Sequence, residues 1–270
     1  VTVLDQDMAV VGRGLERMLG PLKLIPSSGK GLLVEGFAHR PALGVPYNHA
    51  YYGERVADAG FEKLVDLISC YLDQALSIPQ RILRVAEKVK ARRGFRVVRF
   101  RTKGELRAMV PRVTQLYNDS FTEVHGYVPL TEAEAHVMAQ QILAVADPTL
   151  TTVLMKGDAI VGFILAYPDP SAGIQRCRGR LWPFGWYHLL RAFKRTRWLN
   201  INGAGILAPY RGLGGNALLY AELYHTVTSH PRYYCADLVQ IQESNMRMVR
   251  ELEAMEARPY KRHRVYQRWL

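Results

Sequence analysis

Apolar positions recur at two periods along this chain, and each change of period marks an element. From Gln80 to Arg93, Q-R-I-L-R-V-A-E-K-V-K-A-R-R, Ile82, Val85 and Val89 keep helical spacing with cations on the other face. Pro79 suits a first turn and Gly94 a C-terminal stop. This helix divides the chain into an N-terminal region (1–76), a linker helix (77–94) and a C-terminal domain (95–270). Within the last, Phe95 to Phe100 alternates as a strand, and Gly104 to Tyr117 reads as a helix. Thr131 to Val145 reads as a second helix, opened by T-E-A-E with Thr131 as N-cap and Glu134 closing a capping box. Thr149 to Met155 and Ala159 to Tyr167 are strands around K-G-D, a two-residue hairpin turn. A strand follows at Leu199 to Leu207, a helix at Asn216 to Ser229, a strand at Tyr233 to Ile241, a helix at Asn245 to Met255, and a closing strand at Lys261 to Trp269. That order, β-α-α-β-β-β-α-β-α-β, predicts an α/β (α+β) domain with hairpin strands first and crossovers later.

Composition narrows the class. No apolar run approaches the roughly 20 residues that span a bilayer, and V-T-V-L-D-Q-D at the front lacks a basic signal-peptide region. The expected location is cytoplasmic. The opening valine leaves open a start inside a longer chain. Cys70, Cys177 and Cys235 lie far apart in no metal-ligand spacing, so neither a disulfide framework nor a metal is expected.

The net charge of +12 is unevenly spread. Eleven Lys/Arg face two Glu between Arg81 and Arg107, and seven Lys/Arg face no acid between Arg176 and Arg197. Such a balance favours a site for an anionic partner (a phosphate-bearing cofactor, nucleic acid or an anionic membrane surface), with a solvated basic face weighed equally for the first cluster.

One stretch offers such a site. I-L-A-P-Y-R-G-L-G-G-N (Ile206 to Asn216) carries an arginine and three glycines where a strand hands over to a helix. A helix start presents unpaired N–H groups and partial positive charge, so phosphates bind there when no side chain blocks the approach. Read alone, the residues fit a phosphate cradle and a plain strand-helix turn equally well. No G-K-[ST] follows, and the third glycine of a dinucleotide fingerprint is missing.

In this element order, P-Y-R-G-L-G after a fourth strand, N-x-x-M on the last helix and a closing strand resemble the GCN5-related N-acetyltransferase (GNAT) superfamily over residues 95–270. The resemblance implies a mixed, mostly antiparallel sheet flanked by helices. It implies that Arg211, Gly212, Leu213, Gly214 and Gly215 cradle the pyrophosphate of acetyl-CoA, with Asn216 where the pattern wants Gly or Ala. It makes Ile206 and Leu207 the strand that pairs with the pantetheine arm, and Asn245 the opening of the helix across from it. The strand ending at Leu207 and the one starting near Tyr233 should then be parallel neighbours that splay apart.

The N-terminal region looks like a partial second copy. Tyr47 to Leu72 repeats the family's ending (an Asn, a helix, G-F, a strand), and Leu19 to Leu24 and Gly31 to Phe37 upstream would belong to the region between that domain's third and fourth helices. The layout resembles uncharacterised bacterial tandem-GNAT proteins. Half a sheet has an exposed edge, so it must pack on the C-terminal domain, form a homodimer, or belong to a longer chain.

Amine acetylation needs a base for the ammonium, donors for the oxyanion and a proton for the departing thiolate. The tyrosine that many family members place seven residues after the helix-opening Asn falls on Leu252 here, which cannot donate. Tyr260 and Tyr266 are the nearest phenols, with strand packing as the expected role. Glu243, Asp237, Glu123 and His125 are the candidate bases, of which Glu243 and Glu123 are taken forward. The expected function is N-acetyl transfer from acetyl-CoA to an unidentified amine; the alternative is a catalytically silent CoA-binding or partner-binding module. Between the third and fourth strands, Arg178 to Trp198 holds three of the four tryptophans among its cations. It is expected to be an amphipathic cap, with Trp182, Phe184, Trp186 and Leu190 packed on the N-terminal region. An interfacial membrane helix, a nucleic-acid platform and an acceptor-site lid are the alternatives.

Overall fold

The computed structural model describes residues 16–22, 29–73, 78–121, 129–229 and 232–270. Its strands are β1 (Arg17–Gly20), β2 (Leu32–Glu35), β3 (Glu62–Asp73), β4 (Phe95–Arg99), β5 (Thr151–Lys156), β6 (Ala159–Pro168), β7 (Trp198–Ile206), β8 (Cys235–Gln242) and β9 (Arg258–Trp269). Its α-helices are α1 (Tyr51–Asp58), α2 (Gln80–Arg92), α3 (Lys103–Phe121), α4 (Glu132–Val145), α5 (Ser171–Cys177), α6 (Gly185–Arg195), α7 (Gly215–Thr228) and α8 (Met246–Ala254). The strands form one sheet in the order β1-β9-β3-β8-β7-β6-β5-β4, with β2 also on β9. Only β7 and β8 run parallel; the other neighbours are antiparallel. The mixed, mostly antiparallel sheet expected from the sequence is therefore present.

Local chemistry explains several boundaries. Thr131 accepts from the Glu134 amide while the Glu134 carboxylate accepts from the Thr131 amide, which closes the expected capping box at the start of α4. Lys156 pairs with Ala159 across Gly157 and Asp158, the two-residue turn between β5 and β6. Val153, Leu154, Val161 and Ile164 are fully buried, because helices cover both faces of this part of the sheet. On one face α7 packs with α2, whose Ala86 and Val89 lie in the same core as Leu218, Leu219 and Leu199. On the other, Leu106 and Leu116 of α3 and Leu143 of α4 pack on Val153 and Phe163. The basic helix α2 is thus part of the core layer.

Residues 17–73 supply three strands to this sheet. β3 lies between β8 and β9 and is antiparallel to both, pairing Leu67 with Gln242 on one side and with His263 on the other. β2, expected to be apolar and in need of cover, pairs its Leu33 with His263, and Leu33 is buried. Lys23 and Leu24 of the upstream stretch lie outside the described residues.

The insertion departs from expectation. Its helix α6 packs on α5, where Gly173 lets the backbones close in: a Cβ there would stand 2.5 Å from the Ala192 Cβ and 2.9 Å from the His188 carbonyl oxygen. Trp182, Phe184, Trp186 and Leu190 point away from that contact and are exposed. They do not pack on the N-terminal region, because its strands are taken up in the sheet beyond β8.

Candidate functional site

The central feature is a gap between parallel strands. β7 and β8 pair from Trp198–Cys235 to Ile201–Leu238, and the ladder then ends, although β7 runs on to Ile206 and β8 to Gln242. Gln240 bends β8 away. It adopts φ 52°, its amide side chain bonds both the N–H and the C=O of Lys30 (2.8 and 2.7 Å), and its own N–H donates to Ser69 Oγ (3.2 Å). The strands therefore splay towards their carboxyl ends, where open α/β sheets bind ligands.

At the far end of β7 stands the glycine turn. Ile206, Leu207, Arg211, Gly212, Leu213, Gly214, Gly215 and Asn216 form one continuous loop into α7, with Gly214 as its left-handed N-cap at φ 85°. The Arg211 guanidinium donates from Nε to the Ile206 carbonyl (3.0 Å) and from Nη2 to the Ser120 carbonyl (2.9 Å), tying β7 to the end of α3. Asn216 and Tyr220, one turn apart on α7, both donate to the Glu251 carboxylate of α8 (2.6 and 2.8 Å). Asn245 caps α8 by accepting from the Met248 amide (3.2 Å). One turn residue that sequence reasoning passed over completes the site. Exposed Arg247, in the first turn of α8, brings its guanidinium within 3.5 Å of where a Cβ on Gly212 would sit.

The glycines serve packing as well as any ligand. A Cβ on Gly214 would lie 2.5 Å from Val89 Cγ2 of α2, so the close crossing of α2 over α7 requires this residue. Gly214→Ala should cost about 2–4 kcal/mol of stability, from the left-handed φ and the overlap together. Urea unfolding measures it, and a wild-type midpoint would show that α2 gives way freely. For the same reason Gly214→Glu cannot be a clean probe of ligand binding.

Of the candidate bases, Glu123 and His125 lie outside the described residues. Glu243 follows β8 but is engaged elsewhere. It pairs with Lys63 (2.8 Å) and Arg262 (3.9 Å) and accepts from the Asp66 amide. Burial works to raise its pKa, yet Lys63 and the amide hold it below the ordinary carboxylate value. Leu252 is buried against Leu238 and Cys70.

Asp237 sits differently. It is buried on β8, with Oδ2 accepting from the Tyr260 hydroxyl (2.5 Å) and from Lys261 Nζ (3.3 Å), while Oδ1 has no partner. Its neighbour in register is Asn200 of β7, fully buried, whose Nδ2 donates to Asp169 Oδ1 (3.3 Å) and whose Oδ1 also has no partner. Burial raises the Asp237 pKa against Lys261 and Tyr260, and lowers that of Lys261. Two residues along β7, Asn202 donates to the Tyr167 hydroxyl (3.0 Å). Both line an apolar cavity of about 180 Å³ with Val110, Tyr117, Met138 and Phe163, beneath α3 and α4. The signal was in the sequence: L-N-I-N puts two asparagines on one face of an otherwise apolar strand. Tyr260 was legible only as a strand-packing phenol and Lys261 gave no signal, because their partner lies 23 and 24 residues back.

Among the described residues, no group of three or more His, Cys, Asp or Glu could hold a metal, and no helix is long and apolar enough to cross a membrane.

No family model matches the chain. It is 26% identical over 263 residues to the protein YghO of Escherichia coli strain K12, covering 95% of this chain and 66% of that protein. It is 29% identical over 185 residues to a bacterial ceramide synthase of Caulobacter vibrioides, covering 67% of this chain and 47% of that protein. The chain thus spans between about half and two thirds of the length of these relatives. Among solved structures it resembles a GCN5-related N-acetyltransferase from Sphaerobacter thermophilus, at 15% identity and a TM-score of 0.52 over 86% of this chain and 58% of that one. It also resembles a tandem GNAT protein from the clavulanic acid biosynthesis pathway, at 12% identity and a TM-score of 0.51 over 97% of this chain and 66% of that one. The chain has the fold of the GCN5-related N-acetyltransferases.

Proposed function

We propose that this chain is an acyl-CoA-dependent N-acyltransferase whose acceptor is an amine carrying a hydrocarbon chain. The observation that carries the reading is the splay of β7 from β8, ending in a turn with Gly212, Gly214 and Gly215 that leads into a helix start. The inner edge of β7 past Ile201 has no ladder partner on β8 and can pair with the amides of a pantetheine arm. The N–H groups from Gly212 to Asn216, with Arg247 beside them, suit a pyrophosphate. Arg211 acts in this reading by holding the loop, since its fork lies on two backbone carbonyls.

The acceptor half rests on different residues. An ammonium seeks hydrogen-bond acceptors, and Asn200 Oδ1 and Asp237 Oδ1 are two buried acceptor oxygens on residues paired in register. The Asp237 carboxylate can take the proton that the amine must lose. The apolar cavity lined by Asn202 and by Tyr167, the register partner of Asn200, suits alkyl carbon. A ceramide is the amide of a fatty acid and a long-chain amino alcohol, so the similarity to a protein named ceramide synthase supports the same acceptor class and a long acyl chain in place of acetyl.

Thiol release from acyl-CoAs of increasing chain length, measured against short amines, peptides and long-chain amino alcohols, tests the reading. Turnover is expected with the long-chain pair, and none with any amine in that class would overturn it. Arg247→Glu should weaken CoA binding by about 1.5–2.7 kcal/mol, roughly ten- to a hundredfold in Kd by calorimetry, with stability unchanged because the residue is exposed. Buried Leu252, where a tyrosine acid is expected, favours a second reading as a silent CoA-binding module. CoA binding with no thiol release across the panel distinguishes it.

A further inference from the structure

The face of α6 that the fold leaves uncovered combines three properties. Trp182 (80% exposed), Phe184 (70%), Trp186 (46%) and Leu190 (53%) stand in solvent within nine residues of each other. Seven Lys/Arg lie between Arg176 and Arg197, and no acid occurs between Asp169 and Glu222. The helix is held firmly from behind by the close contact of Gly173 with Ala192 and Leu189, so the outward face is presented by a packed element. Large apolar side chains exposed together mark an interaction site.

The charge decides what covers it. A second copy would bring the same seven cations against themselves, in a chain of net charge +12. A nucleic acid would match the charge and could stack on the rings, but Leu181 (56% exposed) and Leu190 offer nothing to a base. An anionic bilayer uses all of it. Cations meet lipid phosphates, tryptophans sit at headgroup depth, and Phe184 and the leucines enter the acyl boundary. Trp186 Nε1 already donates to the Pro183 carbonyl (2.9 Å), so its ring can leave water without orphaning a donor.

We propose that α6 and the turn before it, residues 181–195, dock this protein onto an anionic membrane surface. The site is distinct from the β7–β8 gap and holds whether or not acyl transfer occurs. The connection that carries it leaves β6 at Pro168, one residue past cavity-lining Tyr167, and reaches α6 by way of α5.

Co-sedimentation of the full chain with vesicles of phosphatidylglycerol and phosphatidylethanolamine, beside vesicles of phosphatidylcholine alone, tests it. Binding to the anionic vesicles is expected, falling with salt, with a blue shift in tryptophan emission. Trp182→Ala with Phe184→Ala, and Arg191→Glu with Lys194→Glu, should each lower partitioning by at least about tenfold at an unchanged melting temperature. Trp182→Ser alone, at the most exposed position, covers a double variant that fails to fold, and should also weaken binding. No binding by the wild type, or equal binding by these variants, overturns the proposal. So does a single-stranded oligonucleotide that binds through the same residues when the vesicles do not.

Discussion

Leu67→Asp is expected to yield no folded protein. Leu67 is fully buried at the middle of β3, which is hydrogen-bonded along both edges, to β8 and to β9. An aspartate there would stand in register with His263, which burial keeps neutral, and must enter the core charged or neutral, a penalty of several kcal/mol against a total stability of about 5–15. The loss does not stay local. β9 carries both β1 and β2, so releasing β3 detaches the whole flank of the sheet beyond β8. The same topology predicts that residues 77–270 expressed alone aggregate, because β8 and β9 would lose the strand between them and present bare edges. Residues 1–76 alone should be molten. Soluble yield and circular dichroism report the outcome, with Glu62→Gln at the exposed end of β3 as a folded control. A cooperatively unfolding Leu67→Asp protein with a near-native melting temperature would mean that β3 is dispensable.

What the sequence could reveal follows the range of the interactions involved. The capping box at Thr131, the Gly157–Asp158 hairpin and the helix Gln80–Arg92 are set within a few residues, and each stands where the pattern puts it. The strand character of E-K-L-V-D-L-I-S-C-Y-L was equally legible. Its place between β8 and β9 was not, because pairing across about 170 to 200 residues leaves no local mark. Glu243 shows the same limit at the site. An acid just past the strand facing the cofactor strand has the position of a base, but Lys63 arrives from the N-terminal region and takes the carboxylate into an ion-pair network. Nor can spacing separate the two uses of a glycine. Gly214 is needed where α2 crosses α7, a contact that no count along the chain could show. Amphipathicity is ambiguous in the same way, for Trp186 and Leu190 at helical spacing read alike whether they face a core or a solvent-exposed surface.

Acid should unfold this protein in two steps, both at the junction of β3 and β9. His263 is fully buried, and one of its ring nitrogens, Nε2, lies 3.1 Å from the Pro46 carbonyl. Burial, helped by the Lys261 charge, pushes its pKa from 6.5 down to about 4. The unfolded chain therefore binds a proton between those values and the folded chain does not. Stability is full above about pH 6.5 and falls by about 3 kcal/mol as pH drops towards 4. Asp66, next to Leu67 in β3, is buried and accepts from Arg264 (2.8 and 3.0 Å), Arg262 (3.3 Å) and Lys63 (3.0 Å). Burial alone would raise its pKa, but Arg264 and Lys63 outweigh that and hold it at about 2 against 3.8. Its contribution, about 2 kcal/mol, is present above the unfolded value and lost as pH falls from 3.8 towards 2. Asp237 runs the other way, since burial has raised its pKa above 3.8, and acid relieves it as pH falls from that raised value to 3.8, which tempers the histidine step. Urea midpoints taken from about pH 7 down to about pH 2 should decline first across the histidine window and again below about pH 3.8. His263→Gln should flatten that decline and leave the lower one. Asp66→Asn should remove the lower step and cost about 3–5 kcal/mol at neutral pH, because it strips the arginines of a buried partner. A midpoint that holds steady from about pH 7 to about pH 4.5 would show that His263 is hydrated and can charge in place.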